Sequence, residues 1–517
     1  MGLPLTIDHL LWRMEHVHRD AQVVGVPGAA SRPVPRTFSE TAAGARRLAT
    51  ALHRHHGITA GSTVAVMAFN TVEHFALMLA VPTLGAAVNS LNVRLTADAL
   101  VRQARDHGPD LLVVDDEVTL HPSTGPAVRT AVEELARRGV PVLPTNSTGP
   151  GSVAALMAQG GTPVDRPESP EDATAFYFHT SGTTGPAKTY AVTHRDVVLH
   201  ALTQATVDAS GLRRGDRVLP LAPFFHVNGW GLPFTAAVTG SSLVLVGGDL
   251  GAARIAEILS AHRVTVAAAV PTVWFDVCRL VAGAPRLRPA VLREVLSGGS
   301  AVPQSVVELV ERELGARVAT AWGMTETMAC STYEREAPSR SAGRFVPLVE
   351  ARIAGEDGEG AAAGAGERGR LQVRGAFVVG GPRDPSGWLD TEDIASLDEE
   401  GRLHLHDRSK DLIKSGGEWI ASAEIEQHLC THPAVSNAAV VARPDPRWVE
   451  RPVAFVVLSA EAPAAVEPEL RRYLAERFPR FWLPDVITIV DRLPVTAVGK
   501  VDKRALRAHC RVNEGVA

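Results

Sequence analysis

Apolar residues recur at helical spacing over residues 45–55 (Ala45, Leu48, Ala49, Leu52), and Gly57 closes the run. Thr63–Met67 (TVAVM) reads as a buried strand, residues 74–84 as the helix after it and residues 110–114 (DLLVV) as another strand. Strand-like runs resume at Ser242–Val246, 264–270 and 291–296. This alternation predicts an α/β fold with mostly parallel strands. Residues 145–161, rich in Gly, Ser and Thr, read as a loop. From about Ala351 short strands (370–374, 402–405) alternate with Gly-rich turns, which predicts a small β-rich subdomain. Beyond Asp407 come a helix (423–430), two strands (435–442, 453–458), a helix (468–478) and a strand (486–490), the pattern of a compact α+β domain. The expected architecture is a large N-terminal domain of parallel α/β subdomains with a β-rich subdomain, then a small α+β C-terminal domain.

Length agrees, since 517 residues exceed one ordinary core at about 100–200 residues per domain. The formal net charge of −5 offers no basic field for nucleic acid. Cys278, Cys330, Cys430 and Cys510 are far apart, which argues against a zinc site or disulfide framework and for buried thiols in a reducing cytoplasm. The first twenty residues lack a signal-peptide pattern. The uncharged stretches 75–93 and 218–248 are interrupted by Pro, Asn or His, so they read as buried core and not as membrane spans.

Three phosphate signals deserve comparison. Residues 364–369 fit GxGxxG, but no strand precedes them and no helix pattern follows. Neither Lys188, before Thr189, nor Lys500, before Val501, completes a Walker A loop, because the glycine spacing or the following hydroxyl is wrong. The third signal is Thr180-Ser181-Gly182-Thr183-Thr184-Gly185-Pro186-Ala187-Lys188, which follows an apolar run. Small hydroxyl residues with free backbone N–H groups wrap phosphate oxygens, and Lys188 adds a cation.

This loop is the first of seven motifs: TSGTTGPAK (180–188), PFFHVNGWG (223–231), SGGSA (297–301), WGMTET (322–327), GWLDTEDIA (387–395), DRSKDLIKSGGEWI (407–420) and LPVTAVGKVDK (493–503). In kind and order they resemble the adenylate-forming superfamily of acyl-CoA synthetases, peptide-synthetase adenylation domains and luciferases. The wording of WGMTET, SGGEWI and FWLPD (481–485) is similar to medium- and long-chain fatty acyl-CoA synthetases. The resemblance implies that a carboxylate attacks the α-phosphorus of ATP, expelling pyrophosphate, and that a thiol then takes the acyl group from AMP.

The resemblance also implies roles. The 180–188 loop holds the β and γ phosphates, Glu326 is linked to magnesium and Thr325 contacts the α-phosphate. Gly299, Ser300, Ala301 and Trp322 enclose the adenine. Asp393 grips the ribose with Arg408 as its partner, and Lys500 is the mobile catalytic lysine. The domains it implies are residues 1–407, a hinge at 408–410, and a mobile 411–517 whose Gly416, Gly417 and Trp419 approach the thiol tunnel. His226, where amino-acid-activating relatives carry a carboxylate, implies an acid without an α-amino group. Gly298 and Gly323 leave room in the acid pocket, with Trp230 and Val270 as its wall, so an acid larger than acetate is expected.

Three departures stand out: Ala187-Lys188-Thr189 in the phosphate loop, Glu392 in place of glycine, and Ala421-Ser422 after SGGEWI. High Ala and Arg content hints at a GC-rich bacterial genome, where such genes serve natural-product pathways. The leading expectation is a cytoplasmic, AMP-forming acyl-CoA ligase using ATP, Mg2+ and CoA. The alternatives are an aryl acid or nitrite with a carrier-protein or amine acceptor, and a non-catalytic acyl-nucleotide-binding protein. A homodimer is left open.

Overall fold

The computed structural model describes residues 3–26, 34–146, 151–159, 169–180, 188–248, 250–338, 341–355, 364–381, 383–415, 418–459, 462, 466–496 and 501–512. Two open sheets form the N-terminal part. The larger runs Arg317–Ala321, Glu294–Gly298, Val266–Ala269, Arg217–Pro220, Ser242–Val246, Gln22–Val26, Val34–Thr37, parallel except for the last pair. The smaller runs Val142–Pro144, Leu111–Val114, Thr63–Met67, Ala87–Ser90, Thr174–Thr180, Lys188–Thr193, again with one antiparallel pair at its edge. Thr63–Met67 and Leu111–Val114 are buried along their whole length, which is why they read as continuous apolar runs.

The helix expected at 45–55 spans Phe38–His56. Its start is set by a capping box: the Thr37 hydroxyl accepts from Glu40 N at 3.1 Å and the Glu40 carboxylate accepts from Thr37 N at 2.7 Å. Its end is Gly57, at φ 67°. The region read as a loop at 145–161 contains a short helix, Val153–Ala158, capped by the Ser152 hydroxyl. Six residues are too few to display a period, and burial of Leu156 and Met157 holds the helix in place.

Asn70, buried after Thr63–Met67, joins the two sheets. Its Nδ2 donates to the carbonyls of Pro220 (3.0 Å) and Ala222 (2.9 Å), and its Oδ1 accepts from Phe224 N at 2.9 Å. The β-rich part is a four-stranded antiparallel meander, Val349–Ala354, Gly369–Gly375, Leu389–Leu397 and Leu403–Arg408.

The C-terminal domain has a five-stranded sheet with a small core on each face. Val440 and Ala454 face Ile425, Leu429, Leu470 and Leu474 on one side; Val441, Val453 and Phe455 face Leu506 and Cys510 on the other. Its strand Val449–Leu458 begins four residues before the apolar run because Glu450 and Arg451 continue the pairing with Val435–Asp445. All four cysteines are buried and none is in a disulfide. Among the described residues no helix is long and apolar enough to cross a membrane.

Candidate active site

The carboxyl ends of parallel strands gather the predicted residues along one edge of the larger sheet. Arg217–Pro220 leads into the loop of His226 and Trp230, and Val266–Ala269 into Val270. Glu294–Gly298 leads into Gly299, Ser300 and Ala301, and Arg317–Ala321 into Trp322, Gly323, Thr325 and Glu326. In open α/β sheets this edge is where ligands bind, because strand ends place loops and helix N-termini around a crevice. The smaller sheet brings Thr180 and Lys188, paired across its last two strands.

After His226 the chain makes a left-handed turn: Val227, Asn228, Gly229, Trp230 and Gly231 have φ of 31°, 44°, 62°, 59° and 73°. Three are not glycine, so the turn stores strain, about 1–2 kcal/mol per residue. Tertiary contacts hold it. Gln204 Nε2 donates to the Trp230 carbonyl at 2.9 Å and meets the Tyr333 hydroxyl, while Gln204 Oε1 accepts from Thr235. A Cβ on Gly231 would lie 2.5 Å from the His200 ring. Burial pushes His200 and His74 down to about 4, so both are neutral near pH 7. Gln204, Tyr333 and Asn70 were invisible in the sequence, since their partners lie 26 to 154 residues away.

Gly298 and Gly323 were read as leaving room for the acid, and the structure adds a backbone reason for glycine at both positions. A Cβ on Gly298 would lie 2.6 Å from the Ala321 carbonyl oxygen, and one on Gly323 only 1.3 Å from that of Ala329. Backbone fills the space that these glycines leave.

Trp322 is buried, with its indole N–H donating to Asp393 Oδ2 at 3.0 Å. Asp393 Oδ1 pairs with Arg408 Nε at 2.8 Å. These contacts join the loop after Arg317–Ala321 to the meander. Glu392, the departure beside Asp393, has φ 62° and an exposed side chain; its carbonyl accepts from Ser409 N and Oγ at 2.9 and 3.0 Å. Ser422, another departure, donates to Asp407 Oδ2 at 2.8 Å and receives Lys503 Nζ at 2.8 Å.

Half-buried Glu326 accepts a hydrogen bond from the Tyr190 hydroxyl, a partner that no motif signalled. Among the described residues no cluster of three or more His, Cys, Asp or Glu side chains could cage a metal. Ser181, Gly182, Thr183, Thr184, Gly416, Gly417 and Lys500 lie outside the described residues. Val495 and Thr496, just before Lys500, line a cavity of about 430 Å3 together with Phe69, Arg94, His121 and Leu250 of the N-terminal part. Trp419 is exposed, with Lys414 Nζ 5.4 Å from its ring centroid.

Residues 16–381 match the family model described as AMP-binding enzyme, and residues 424–500 that of the AMP-binding enzyme C-terminal domain. The chain belongs to the AMP-binding enzyme family. This AMP-binding enzyme is 36% identical to the long-chain-fatty-acid–CoA ligase of Thermus thermophilus, over 91% of this chain and 89% of the relative. It is 32% identical to the 3-methylmercaptopropionyl-CoA ligase of Ruegeria pomeroyi, over 99% and 98% of the two chains. The solved o-succinylbenzoate CoA synthetase of Bacillus subtilis, in complex with its acyl-adenylate intermediate, superposes with a TM-score of 0.79 at 28% identity, over 98% of each chain. The AMP-binding enzyme is thus an acyl-CoA synthetase, which adenylates an acid and passes the acyl group on to CoA.

Proposed function

We propose that this synthetase activates a carboxylic acid larger than acetate with magnesium-ATP, and that the residues named above carry the steps. The observation that carries this reading is the convergence of His226, Val270, Gly298–Ala301 and Trp322–Glu326 at one sheet edge, beside the Asp393–Arg408 pair. The relatives named for a long-chain fatty acid and for 3-methylmercaptopropionate both take acids larger than acetate.

Two anions must meet in the first half-reaction, so the site has to neutralise charge and align the reactants. Lys188 and the loop before it hold the β and γ phosphates, and Thr325 contacts the α-phosphate. Asp393, fixed between Trp322 and Arg408, presents its carboxylate to the ribose hydroxyls. A single carboxylate with a neighbouring hydroxyl suits magnesium, which keeps several waters and binds mainly through nucleotide phosphates. Glu326 would hold the ion, which would withdraw charge from the phosphate oxygens. Trp230 and Val270 wall off the acid from water, and His226 orients its carboxylate. Lys500 bridges that carboxylate and the α-phosphate; Val495 and Thr496, earlier in the same motif, line a cavity together with N-terminal loops. Rotation about residues 408–410 would then withdraw Lys500 and bring Gly416, Gly417 and Trp419 towards the incoming thiol.

The test is AMP and pyrophosphate release with short- to long-chain, aryl and cinnamic acids and nitrite, each with and without CoA. Turnover of an acid larger than acetate with CoA is the expected result. Preference for acetate, or AMP release without CoA consumption, would overturn the reading. Lys500→Ala should depress adenylation by about 100-fold or more while the melting temperature holds; unchanged adenylation would remove Lys500 from its role.

A further inference from the structure

Tyr190 lies two residues beyond Lys188 on the edge strand Lys188–Thr193. Side chains alternate along a strand, so Lys188 and Tyr190 share a face. The register Thr180↔Lys188 and Phe178↔Tyr190 puts Thr180 on that face as well. The Tyr190 ring is 5% exposed and backs onto Gly380, where an added Cβ would come within 2.3 Å of ring carbon Cδ1. Lodged there, its hydroxyl donates to Glu326 Oε1.

The Glu326 backbone is secured separately, its carbonyl accepting from Val379 N at 2.7 Å. What remains to be fixed is the side chain. A glutamate free to rotate loses that freedom when it ligates a cation, and ordering completed before binding is recovered as affinity. Among the described residues no hydrogen bond reaches the other carboxylate oxygen.

We propose that Tyr190 is a positioning residue for adenylation: by holding Glu326 Oε1 from the strand face it shares with Lys188, it presents the other carboxylate oxygen to magnesium-ATP and couples the metal to the phosphate-binding strand. This rests on Glu326 being the metal-linked carboxylate. Neither of the motifs that flank the contact, TSGTTGPAK and WGMTET, includes residue 190.

The experiment is calorimetric binding of a non-hydrolysable ATP analogue, in Mg2+ and in EDTA, to the full-length wild type, Tyr190→Phe, Glu326→Gln and the double variant. Phenylalanine keeps the ring against Gly380, and thermal melts in EDTA check that each variant folds. Tyr190→Phe should weaken the magnesium form about tenfold, leave the metal-free affinity within about twofold, and add nothing in the Glu326→Gln background. Rescue of magnesium coupling is not expected from any variant lacking a donor at 190. Equal weakening of both forms, or of neither, would overturn the inference. If Glu326→Gln weakens the magnesium form while Tyr190→Phe does not, the tyrosine's role alone falls. If Glu326→Gln leaves the magnesium form as tight as wild type, the assignment of Glu326 falls and takes the inference with it.

Discussion

Gly323→Ala separates two reasons for the glycine after Trp322. The added Cβ would lie 1.3 Å from the Ala329 oxygen, 2.2 Å from its carbonyl carbon and 3.0 Å from Cys330 N. Ordinary contact begins near 3.4 Å, so the carbonyl would have to retreat by about 2 Å, a backbone shift and not a side-chain adjustment. The segment has little slack. Met328 and Ala329 are both left-handed, at φ 59° and 79°, Ala329 N donates to the Met324 carbonyl at 2.9 Å, and Ser331 N to that of Trp322 at 2.8 Å. Overpacking costs about 1–3 kcal/mol where side chains can yield, and a backbone obstacle places this case near the upper end. Any relaxation must drag Thr325 and Glu326, which lie between the two clashing groups. We expect kcat/KM for ATP to fall about 100-fold, by the same factor for every acid, with a lower melting temperature. The assay is acid-dependent ATP–pyrophosphate exchange across a chain-length series, alongside thermal melts. A variant with wild-type ATP kinetics and melting temperature, but selectivity shifted towards shorter acids, would refute the backbone reading and restore pocket room as the reason for the glycine.

Two further outcomes follow from the same geometry. Asp393→Ala strands Arg408 and the Trp322 indole N–H, and should destabilise the protein by about 2 kcal/mol and raise KM for ATP at least about tenfold; denaturant melts and initial rates check both. Buried Asp115, which accepts from Glu117 N and the Thr145 hydroxyl, is pushed up to about 6, chiefly by desolvation. Its folded value exceeds its unfolded one, so the native state binds more protons and stability falls as pH rises from about 4 to about 6, by up to ~3 kcal/mol. Asp115→Asn should flatten that slope, and an unchanged slope in pH-resolved unfolding would reject the assignment.

Much of the fold was legible because burial leaves a local trace. Strands such as Thr63–Met67 and Ser242–Val246 match their apolar runs residue for residue. Boundaries slipped where a cap or a charged pairing, and not hydrophobicity, decides them, as at Thr37–Glu40 and Glu450–Arg451. In the site, the loops that carry His226, Val270, Gly299–Ala301 and Trp322–Glu326 follow the ends of four neighbouring parallel strands, a placement that the motifs alone did not display. The contacts that orient them did not show, because Asn70, Gln204, Tyr190 and Tyr333 are ordinary residue types whose partners are distant in sequence. Gly323 shows a different limit: a glycine pattern is the same whether the missing side chain makes space for a ligand or for backbone.

The left-handed turn after His226 also bears on which positions near the sheet edge tolerate substitution. Positions held at positive φ accept glycine and asparagine readily, whereas other side chains there carry a conformational cost. Val227 and Trp230 already carry it, so Gly or Asn at either position should relieve backbone strain while losing the buried side chain's packing. Val270, at φ −70° and ψ 155°, has a backbone that any L residue adopts. A substitution at Val270 is therefore expected to carry no backbone cost of the kind met along 227–231.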